Sequence, residues 1–326
     1  MNQNNNRRTF IKKGLTTAAG IGILSNTKSI THAEKLAALI NGSAMPKRKL
    51  GKTGYNVSLF GLGGQATIEH PDRRDEAVEI INRAIDLGVN YIDTAAYYGA
   101  DAGGRSAMGT SERHIGEVMK HRRNEVFLAT KSHSRSYNGT MRLFEQSLRN
   151  LKTDHVDLYQ LHNVRWKLQL RGIFSRFGAI RAFERLKSEG SVRYLGITGH
   201  YDPEVIQWAI EQYGFDCILM SLNAADIHYL PFQYDLLNTA REKNLGIIGM
   251  KVAARGKVFR NDGIHSMEQA LNYVYSLPVS TAIVGISTLN ELEENVRITR
   301  NFQKYNKQEI NTLAHHTAHY YKDANY

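Results

Sequence analysis

The chain has 326 residues, of which 42% are hydrophobic and 22% charged, a composition typical of a folded globular protein. Its formal net charge of +11 does not indicate a nucleic-acid partner, because five of the basic residues precede the first acidic one, Glu34, and the rest form no basic run. The single cysteine, Cys217, excludes an intramolecular disulfide and a cysteine-built metal cluster. Beyond residue 33, no apolar run reaches the roughly 20 residues of a membrane span.

The first 33 residues have the order of a targeting segment. Arg7 and Arg8 precede a weakly apolar run rich in Gly and Thr at 14–24, and small residues follow at 31–33. This order resembles a twin-arginine (Tat) signal peptide, which addresses proteins for export in the folded state. We therefore predict that the Tat machinery recognises Arg7 and Arg8 and that the protein is periplasmic. A basic disordered tail is the alternative.

The predicted organisation is a signal peptide at 1–33, a linker at 34–45 and one folded domain at 46–326 with a helical tail. Residues 47–58 predict a β-hairpin, after which short apolar runs alternate with amphipathic helical stretches. The predicted strands lie at 59–63, 89–93, 126–131, 156–162, 192–198, 217–221, 245–252 and 281–284. The predicted helices lie at 74–87, 111–120, 140–151, 179–188, 203–213, 234–243, 266–276 and 289–302.

Eight β/α repeats after a hairpin predict an α/β fold, a (β/α)8 TIM barrel of parallel strands with the N-terminal β-hairpin as a cap. An open doubly wound sheet is the alternative. It would place a glycine-rich turn between its first strand and a helix, whereas Gly63 and Gly64 are followed by Gln65 and no helix start. Ser111 and Asp202 are the predicted N-caps of their helices.

Polar side chains follow three neighbouring predicted strands. Asp93 ends the second strand, with Tyr98 in the loop beyond it, and Lys131 and His162 end the third and fourth. In a barrel, residues at these strand ends converge on one face. An ammonium near a phenol favours the phenolate and lowers its pKa, so the group predicts acid–base chemistry on a carbonyl. A metal-dependent hydrolase using Asp93, His162 and His200 is the alternative, but Lys131 among these ligands would repel a cation.

Several segments resemble the aldo-keto reductase family. They are 48–54 (Arg-Lys-Leu-Gly-Lys-Thr-Gly), 88–95 (Gly-Val-Asn-Tyr-Ile-Asp-Thr-Ala), 157–162 (Asp-Leu-Tyr-Gln-Leu-His), 192–197 (Val-Arg-Tyr-Leu-Gly-Ile) and 292–296 (Leu-Glu-Glu-Asn-Val). The resemblance spans residues 46 to about 303. It implies an NAD(P)(H)-dependent oxidoreductase that interconverts a carbonyl and an alcohol by hydride transfer.

The family's catalytic tetrad falls on Asp93, Tyr98, Lys131 and His162. The resemblance implies that Tyr98 is the general acid/base and that Lys131 lowers its pKa. Asp93 would fix Lys131, and His162 would hydrogen-bond and orient the carbonyl oxygen.

The expected nicotinamide contacts depart from the family pattern. The family's Ser-Asn pair after strand 5 is Gly199-His200 here, its strand-6 glutamine is Leu219, and its stacking aromatic is a methionine. We expect the methionine to pack against the ring less rigidly and His200 and Asn223 to take over the polar contacts. Lys251 or Arg255 is expected to face the pyrophosphate. The predicted contacts in this region are His200, Asn223, Met250, Lys251 and Arg255.

At the adenine end, NADPH-using members carry Lys or Arg where this chain has Gly285, Ile286 and Glu291. A carboxylate repels a 2′-phosphate but accepts a hydrogen bond from a ribose hydroxyl, so NAD is the predicted cofactor and NADP the less favoured one. The predicted contacts are Ser287, Thr288, Glu291, Glu294 and Asn295. The hydroxyl groups of Ser287 and Thr288 can also bond a 2′-phosphate, so NADP stays open as the alternative.

The predicted substrate contacts are Gln65, Tyr97, His133, Arg165 and Trp166. This polar and basic lining favours a hydroxylated or acidic small molecule, such as a sugar, over a steroid. No metal site is predicted, and the histidines at 315–319 are interpreted as a solvated helix end.

Two other functions remain open at this point. Some relatives in the family are non-catalytic, cofactor-binding regulatory subunits of membrane channels. Alternatively, because no pool of soluble nicotinamide cofactor exists outside the cytoplasm, an exported enzyme would carry tightly bound NAD and run a redox-neutral cycle.

Overall fold

The computed structural model describes residues 43–324, and its first element is a hairpin of β1 (Lys47–Lys49) and antiparallel β2 (Asn56–Ser58). The turn between them requires Gly51, whose φ is 49° and where a Cβ would lie 2.3 Å from the Gly246 backbone nitrogen. Leu50 and Val57 are fully buried against apolar side chains of the barrel interior, at the end of the barrel that the hairpin covers. The predicted hairpin cap is therefore confirmed.

The remaining strands are all parallel and close into a barrel of eight in the order β10-β3-β4-β5-β6-β7-β8-β9. They are β3 (Phe60–Ala66), β4 (Tyr91–Asp93), β5 (Phe127–Ser132), β6 (Val156–Leu161), β7 (Val192–Gly199), β8 (Cys217–Ser221), β9 (Gly246–Met250) and β10 (Thr281–Ile286). This closure confirms the (β/α)8 prediction and excludes the open sheet.

Helices surround the barrel, and the longer ones that follow its strands each bury an apolar face against it. They are α1 (Arg74–Asp86), α2 (Ala100–Gly103), α3 (Thr110–Arg122), α4 (Tyr137–Leu151), α5 (Lys167–Ile173), α6 (Ala179–Ser188), α7 (Pro203–Gln212), α8 (Asp235–Glu242), α9 (Met267–Ser276), α10 (Leu289–Arg300), α11 (Lys307–His316) and α12 (Tyr321–Ala324). The sequence patterns did not predict the short α2 and α5, which lie inside loops.

The two predicted helix caps have different outcomes. Asp202 is the N-cap of α7, and its side chain accepts a 2.9 Å hydrogen bond from the Glu204 nitrogen. Ser111 is not a cap, because α3 begins one residue earlier behind Gly109. The Ser111 hydroxyl instead bonds the Thr94 hydroxyl at 2.8 Å in the interior, where a buried polar group needs a partner.

Alternation along the strands sorts the barrel interior into layers. Side chains at every second position face the same side of a strand, so Tyr91 and Asp93 share one face of β4, and Leu158 and Gln160 share one face of β6. Tyr91 and Leu158 belong to the apolar cluster at the hairpin end. Asp93 and Gln160 lie two residues further along their strands, and they therefore face the opposite mouth of the barrel.

Some predictions concern residues outside the described range. The signal peptide at 1–33, with Arg7 and Arg8, lies wholly outside it, as does the linker at 34–45 except for its last residues. Across 43–324, no helix combines the length and the apolar character that a membrane span needs. In the same range, no group of His, Cys, Asp and Glu side chains could hold a metal ion.

Candidate active site

Lys131 is the centre of the polar cluster at the mouth of the barrel. It lies near the end of β5, its side chain is 1% exposed, and its Nζ donates hydrogen bonds to the Asp93 carboxylate and, at 2.7 Å, to the Thr94 carbonyl oxygen. The same Nζ lies 3.4 Å from the Tyr98 hydroxyl oxygen. A buried ammonium thus joins a carboxylate to a phenol.

Asp93 has a second partner that the sequence analysis missed. Gln160 Nε2 donates a 3.1 Å hydrogen bond to Asp93 Oδ1, so both carboxylate oxygens are held. The signal was available, because Gln160 lies two residues before His162 and therefore faces the same side of its strand.

Burial and charge act against each other on this pair. Burial by itself lowers the pKa of Lys131, but the Asp93 carboxylate and Tyr98 raise it further, so the net pKa lies above the ordinary value. Burial raises the pKa of Asp93, and the charge and hydrogen bond of Lys131 oppose that rise. We conclude that Lys131 is charged at neutral pH and that its charge limits the rise in the pKa of Asp93, which stays above its ordinary value.

The predicted acidity of Tyr98 needs a correction. Burial raises its pKa above the ordinary value, and Lys131 limits this rise without reversing it. Desolvation of the phenolate is the larger effect although the phenol is only partly buried, because the ammonium shares its charge with Asp93. Tyr98 therefore keeps its proton in the described structure.

His162 and His133 form a pair of neutral imidazoles beside Tyr98. The His162 ring meets the Tyr98 ring edge-on at 5.8 Å, and its Nδ1 lies 3.2 Å from His133 Nδ1. Tyr97 packs on His133 with ring centroids 4.1 Å apart. Burial and nearby Lys131 and Arg135 lower both pKa values, that of His133 to about 3. The structure thus brings the four predicted catalytic residues together and adds two predicted substrate residues.

The other predicted substrate residues lie on two sides of this cluster. Gln65, on β3, donates a 3.4 Å hydrogen bond to Glu69, whose carboxylate also accepts from the Gly99 nitrogen at 3.2 Å. On the far side, Arg165 and the half-exposed Trp166 both pack on the ring of Tyr201. Tyr201 was not predicted, and its position next to His200 is the only signal that the sequence offers.

The predicted nicotinamide contacts lie after β7, β8 and β9. Burial, Lys251 and Arg165 lower the pKa of His200 to about 4, so its imidazole is neutral. Asn223 accepts hydrogen bonds from two backbone nitrogens of its own turn and donates to the Lys251 carbonyl oxygen at 3.2 Å. Asn223 therefore ties two loops together, and Met250 is half-buried at the end of β9.

The loop after β9 has an unusual backbone. Lys251, Ala254 and Arg255 have φ values of 63°, 47° and 56°, in the left-handed region that non-glycine residues seldom adopt. The backbone nitrogens of Ala254, Gly256 and Lys257 donate to carbonyl oxygens of the same loop, so what the loop offers to an anion is its basic side chains. The cationic side chains of the loop therefore fit the pyrophosphate that Lys251 or Arg255 is predicted to face.

At the start of α10, most of the predicted adenine contacts already form hydrogen bonds within the helix or its first turn. The Thr288 hydroxyl accepts from the Glu291 nitrogen at 3.2 Å, and Glu291 accepts from the Ser287 nitrogen at 2.8 Å. Glu294 forms two hydrogen bonds with Arg297, at 2.7 and 2.8 Å. Arg297, which was not among the predicted contacts, therefore partly neutralises the negative charge at the adenine end.

Asn295 supplies a direct test of whether a dinucleotide fits. It is 1% exposed, and its Nδ2 has no hydrogen-bond partner among the described residues. A buried amide left without a partner costs about 1–3 kcal/mol, unless a ligand accepts from it. The unpartnered donor, the left-handed loop and the polar barrel mouth together fit a nicotinamide cofactor.

An eight-stranded parallel barrel with this Asp, Tyr, Lys and His group at its carboxyl-terminal mouth defines a carbonyl-reducing oxidoreductase of the TIM-barrel class. The Aldo/keto reductase family matches residues 59–263, and the chain belongs to this family. It is accordingly an enzyme that interconverts carbonyl and alcohol groups with a nicotinamide cofactor.

Curated relatives and solved structures are similar over most of their length. The uncharacterized oxidoreductase YqkF of Bacillus subtilis is 27% identical over 319 residues, covering 84% of this chain and 97% of its own. L-galactose dehydrogenase of Arabidopsis thaliana is 26% identical over 288 residues, covering 76% and 86%. Aldo-keto reductase AKR11C1 from Bacillus halodurans, in its holo form, superposes with a TM-score of 0.69 at 26% identity, over 82% of this chain and 96% of its own.

Proposed function

We propose that Tyr98 is the general acid/base of this oxidoreductase and that Lys131, Asp93 and His162 assist it. The observation that carries the proposal is the buried ammonium of Lys131, which lies 3.4 Å from the Tyr98 hydroxyl oxygen and is held by Asp93. A free phenol ionises near pH 10, so such a charge is needed to stabilise the phenolate once the proton has left.

The proposed roles follow from the contacts. The bound nicotinamide supplies the hydride in reduction and accepts it in oxidation. Tyr98 gives its proton to the carbonyl oxygen, and the Lys131 ammonium stabilises the phenolate that remains. Asp93 and Thr94 hold Lys131 in place. His162, neutral beside the same site, donates a hydrogen bond to the oxygen that gains charge.

Substitution of the phenol tests this proposal. We expect Tyr98→Phe to lower kcat for carbonyl reduction by about a thousandfold or more, because a proton transfer by a positioned group contributes roughly 10²–10⁴-fold. Cofactor affinity, measured by fluorescence titration, should change little. Tyr97→Phe is the matched control, since it removes a neighbouring hydroxyl that has no contact with Lys131. Equal kcat values for the two variants would contradict the proposal.

We propose NAD(H) as the preferred form of the cofactor. The positions at which NADPH-using members carry cations are Gly285, Ile286 and Glu291 here, so a 2′-phosphate would meet a carboxylate there. Arg297 is the opposing charge, and its pairing with Glu294 limits what it offers to a phosphate. The ratio of kcat/KM for NADH and NADPH decides the preference.

We propose that the remaining cofactor contacts come from three loops. His200, Asn223 and Met250 would lie around the nicotinamide, and the left-handed turn with Lys251 and Arg255 around the pyrophosphate. At the adenine end the unpartnered Asn295 amide supports a contact with the base. Asn295→Leu should weaken dinucleotide binding without changing kcat.

We propose a polar, sugar-like substrate for this site. The support is the lining of histidine, arginine and glutamine side chains, together with Trp166 and Tyr201 as aromatic surfaces for a ring. One relative bears the name L-galactose dehydrogenase. A panel of aldoses against steroid ketones tests this class, and efficient turnover of the steroids alone would contradict it.

We also propose that the protein is exported folded by the Tat route and carries its cofactor with it. The support is the twin-arginine order of residues 1–33. Joint Arg7→Lys and Arg8→Lys substitution should retain the protein in the cytoplasmic fraction. Mass spectrometry of the denatured, purified protein should detect a nicotinamide dinucleotide, and its absence would count against a redox-neutral cycle on a resident cofactor.

A further inference from the structure

Two arginines lie close to the proposed catalytic group without a carboxylate partner among the described side chains. Arg135 follows β5, and its Nη2 donates to the carbonyl oxygens of His162 and Asn163 at 2.7 and 3.0 Å. Its Nη1 is buried and has no hydrogen-bond partner within residues 43–324. Arg135 therefore lies against the backbone of His162, and the N–H groups of its Nη1 have no acceptor among the described residues.

Arg165, which follows β6, brings a second guanidinium to the same place. Its Cζ lies 5.6 Å from the centre of the Tyr201 ring, and this stacking orients the planar group. The two groups are neighbours, because Arg135 donates to the carbonyl oxygen of Asn163, two residues before Arg165, and burial and the charge of Arg165 lower the pKa of Arg135 to about 10. Like charges that approach each other in a partly buried site are costly unless an anion joins them.

The other charged groups around the pair do not balance it. Lys131 adds positive charge and is satisfied by Asp93, while His133 and His200 are neutral. Of the other acids near the mouth, Glu69 lies on the β3 side and accepts hydrogen bonds from Gly99 and Gln65. Glu112 is buried behind β5 and accepts from Thr130 and Asn150, so within residues 43–324 neither carboxylate pairs with Arg135 or Arg165. Net positive charge therefore remains at the β5 and β6 side of the mouth.

The position of this charge separates it from the cofactor phosphates. In the closed order of strands, β5 and β6 lie across the barrel from β9 and β10. The left-handed loop after β9 and the turn before α10 are the parts that suit the cofactor's phosphates. An anion between Arg135 and Arg165 must therefore belong to the substrate.

The local backbone favours a carboxylate over a phosphate. Phosphate sites commonly add backbone N–H donors, but here the nitrogens of Arg165 and Trp166 donate to Gln169 Oε1, and that of Ser136 to Ser134. The site thus offers side-chain donors, the unpartnered Nη1 of Arg135 and the guanidinium of Arg165, from which the two oxygens of a carboxylate can accept.

We propose that Arg135 and Arg165 bind a carboxylate on the substrate, so that the enzyme acts on carbonyl compounds that also carry an acid group, such as aldehyde acids or uronic-type sugars. This inference rests on the proposed function of the same site. It narrows the substrate class from polar molecules to anionic ones.

Matched substrate pairs test the inference: succinic semialdehyde against butanal, D-glucuronate against D-glucose, and glyceraldehyde 3-phosphate against glyceraldehyde. The third pair measures whether a phosphate is favoured instead of a carboxylate. In the first two pairs we expect kcat/KM to favour the carboxylated member by about tenfold or more, the effect of one charge-assisted contact. Arg165→Ala should reduce this ratio, and Arg165→Glu should reverse it. Arg171→Glu, an equal charge change on exposed α5, should leave the ratio as it is.

The outcomes separate the inference from the proposed function. Turnover of neutral aldehydes without an acid preference, a preference for the phosphate alone, or an acid preference that survives Arg165→Glu would each overturn the inference while Tyr98 keeps its role. Turnover that is equal in wild type and Tyr98→Phe would overturn the proposed function instead.

Discussion

His133 and His162 face each other through their Nδ1 atoms, 3.2 Å apart. Both imidazoles are neutral at neutral pH, because burial and surrounding cations lower their pKa values. One nitrogen must therefore carry the hydrogen and the other must accept it. If His162 is to donate from Nε2 to a carbonyl oxygen, then its Nδ1 is the acceptor and His133 is the donor.

This relationship predicts the tautomer of His162. ¹⁵N NMR of histidine-labelled protein, assigned with a His162→Gln variant, should show hydrogen on Nε2 of His162 and on Nδ1 of His133. His133→Leu should lower kcat by about fivefold, since one hydrogen bond contributes about 1 kcal/mol. His133→Asn, whose amide can donate in the same place, should recover part of the loss. Hydrogen on Nδ1 of His162 in the wild type would contradict the assignment.

The Lys131–Asp93 pair predicts a difference between single and double variants. Lys131→Met leaves a buried carboxylate without its cation, and this should lower the free energy of unfolding by about 3–5 kcal/mol. Adding Asp93→Asn should restore most of that stability, because Gln160 can still bond the amide oxygen. Turnover should stay low in both. Urea unfolding and steady-state kinetics measure the two effects, and a double variant no more stable than the single one would refute the expectation.

The ion pair of Glu294 with Arg297 predicts a change in cofactor preference. Glu294→Gln releases the guanidinium near the expected position of the 2′-phosphate, so affinity for NADPH relative to NADH should rise by about tenfold, as for one charge-assisted bond. Fluorescence titration of both cofactors measures the ratio. Glu211→Gln removes the same charge from α7 and should leave it unchanged. An unaltered ratio in Glu294→Gln would place the 2′-hydroxyl away from Arg297.

Buried Asp226 predicts how stability depends on pH. Burial raises its pKa to about 6, although the Ser221 hydroxyl and Asn223 oppose the rise. The folded protein therefore holds a proton that the unfolded chain has lost above about pH 4. Its contribution to stability is present below pH 4 and is lost as pH rises through 6, a loss of about 3 kcal/mol.

Asp226→Asn should remove this loss. Urea unfolding between pH 4 and 7 should show that the variant gains stability over the wild type as pH rises. Asp235→Asn, at an exposed position on α8, is the control. His133 and His200 titrate in the same range with the opposite sign, but they do so equally in both proteins, so the difference reports Asp226 alone. A constant difference across the range would show that Asp226 does not titrate there.

The predicted strands and helices lie within about three residues of the observed ones, because the local pattern contains most of the information. Apolar runs bounded by Gly and polar residues fixed β8 and α6 to the residue, and Asp202 with Pro203 fixed the start of α7. Ser111 failed as a cap because its hydroxyl had a better partner, Thr94, which lies far away in sequence. A short helix such as α5 has too few turns to produce a periodic signal.

The sequence by itself determined the repeat of strands and helices, and with it the barrel and the grouping of Asp93, Tyr98, Lys131 and His162 at one mouth. Hydrophobic period and strand-end position are properties of neighbouring residues, so they can be read along the chain. The net pKa of Tyr98, the facing of His133 and His162, and the unbalanced pair of Arg135 and Arg165 were decided only by the tertiary structure. Each depends on desolvation and on charges from separate strands, which act through space.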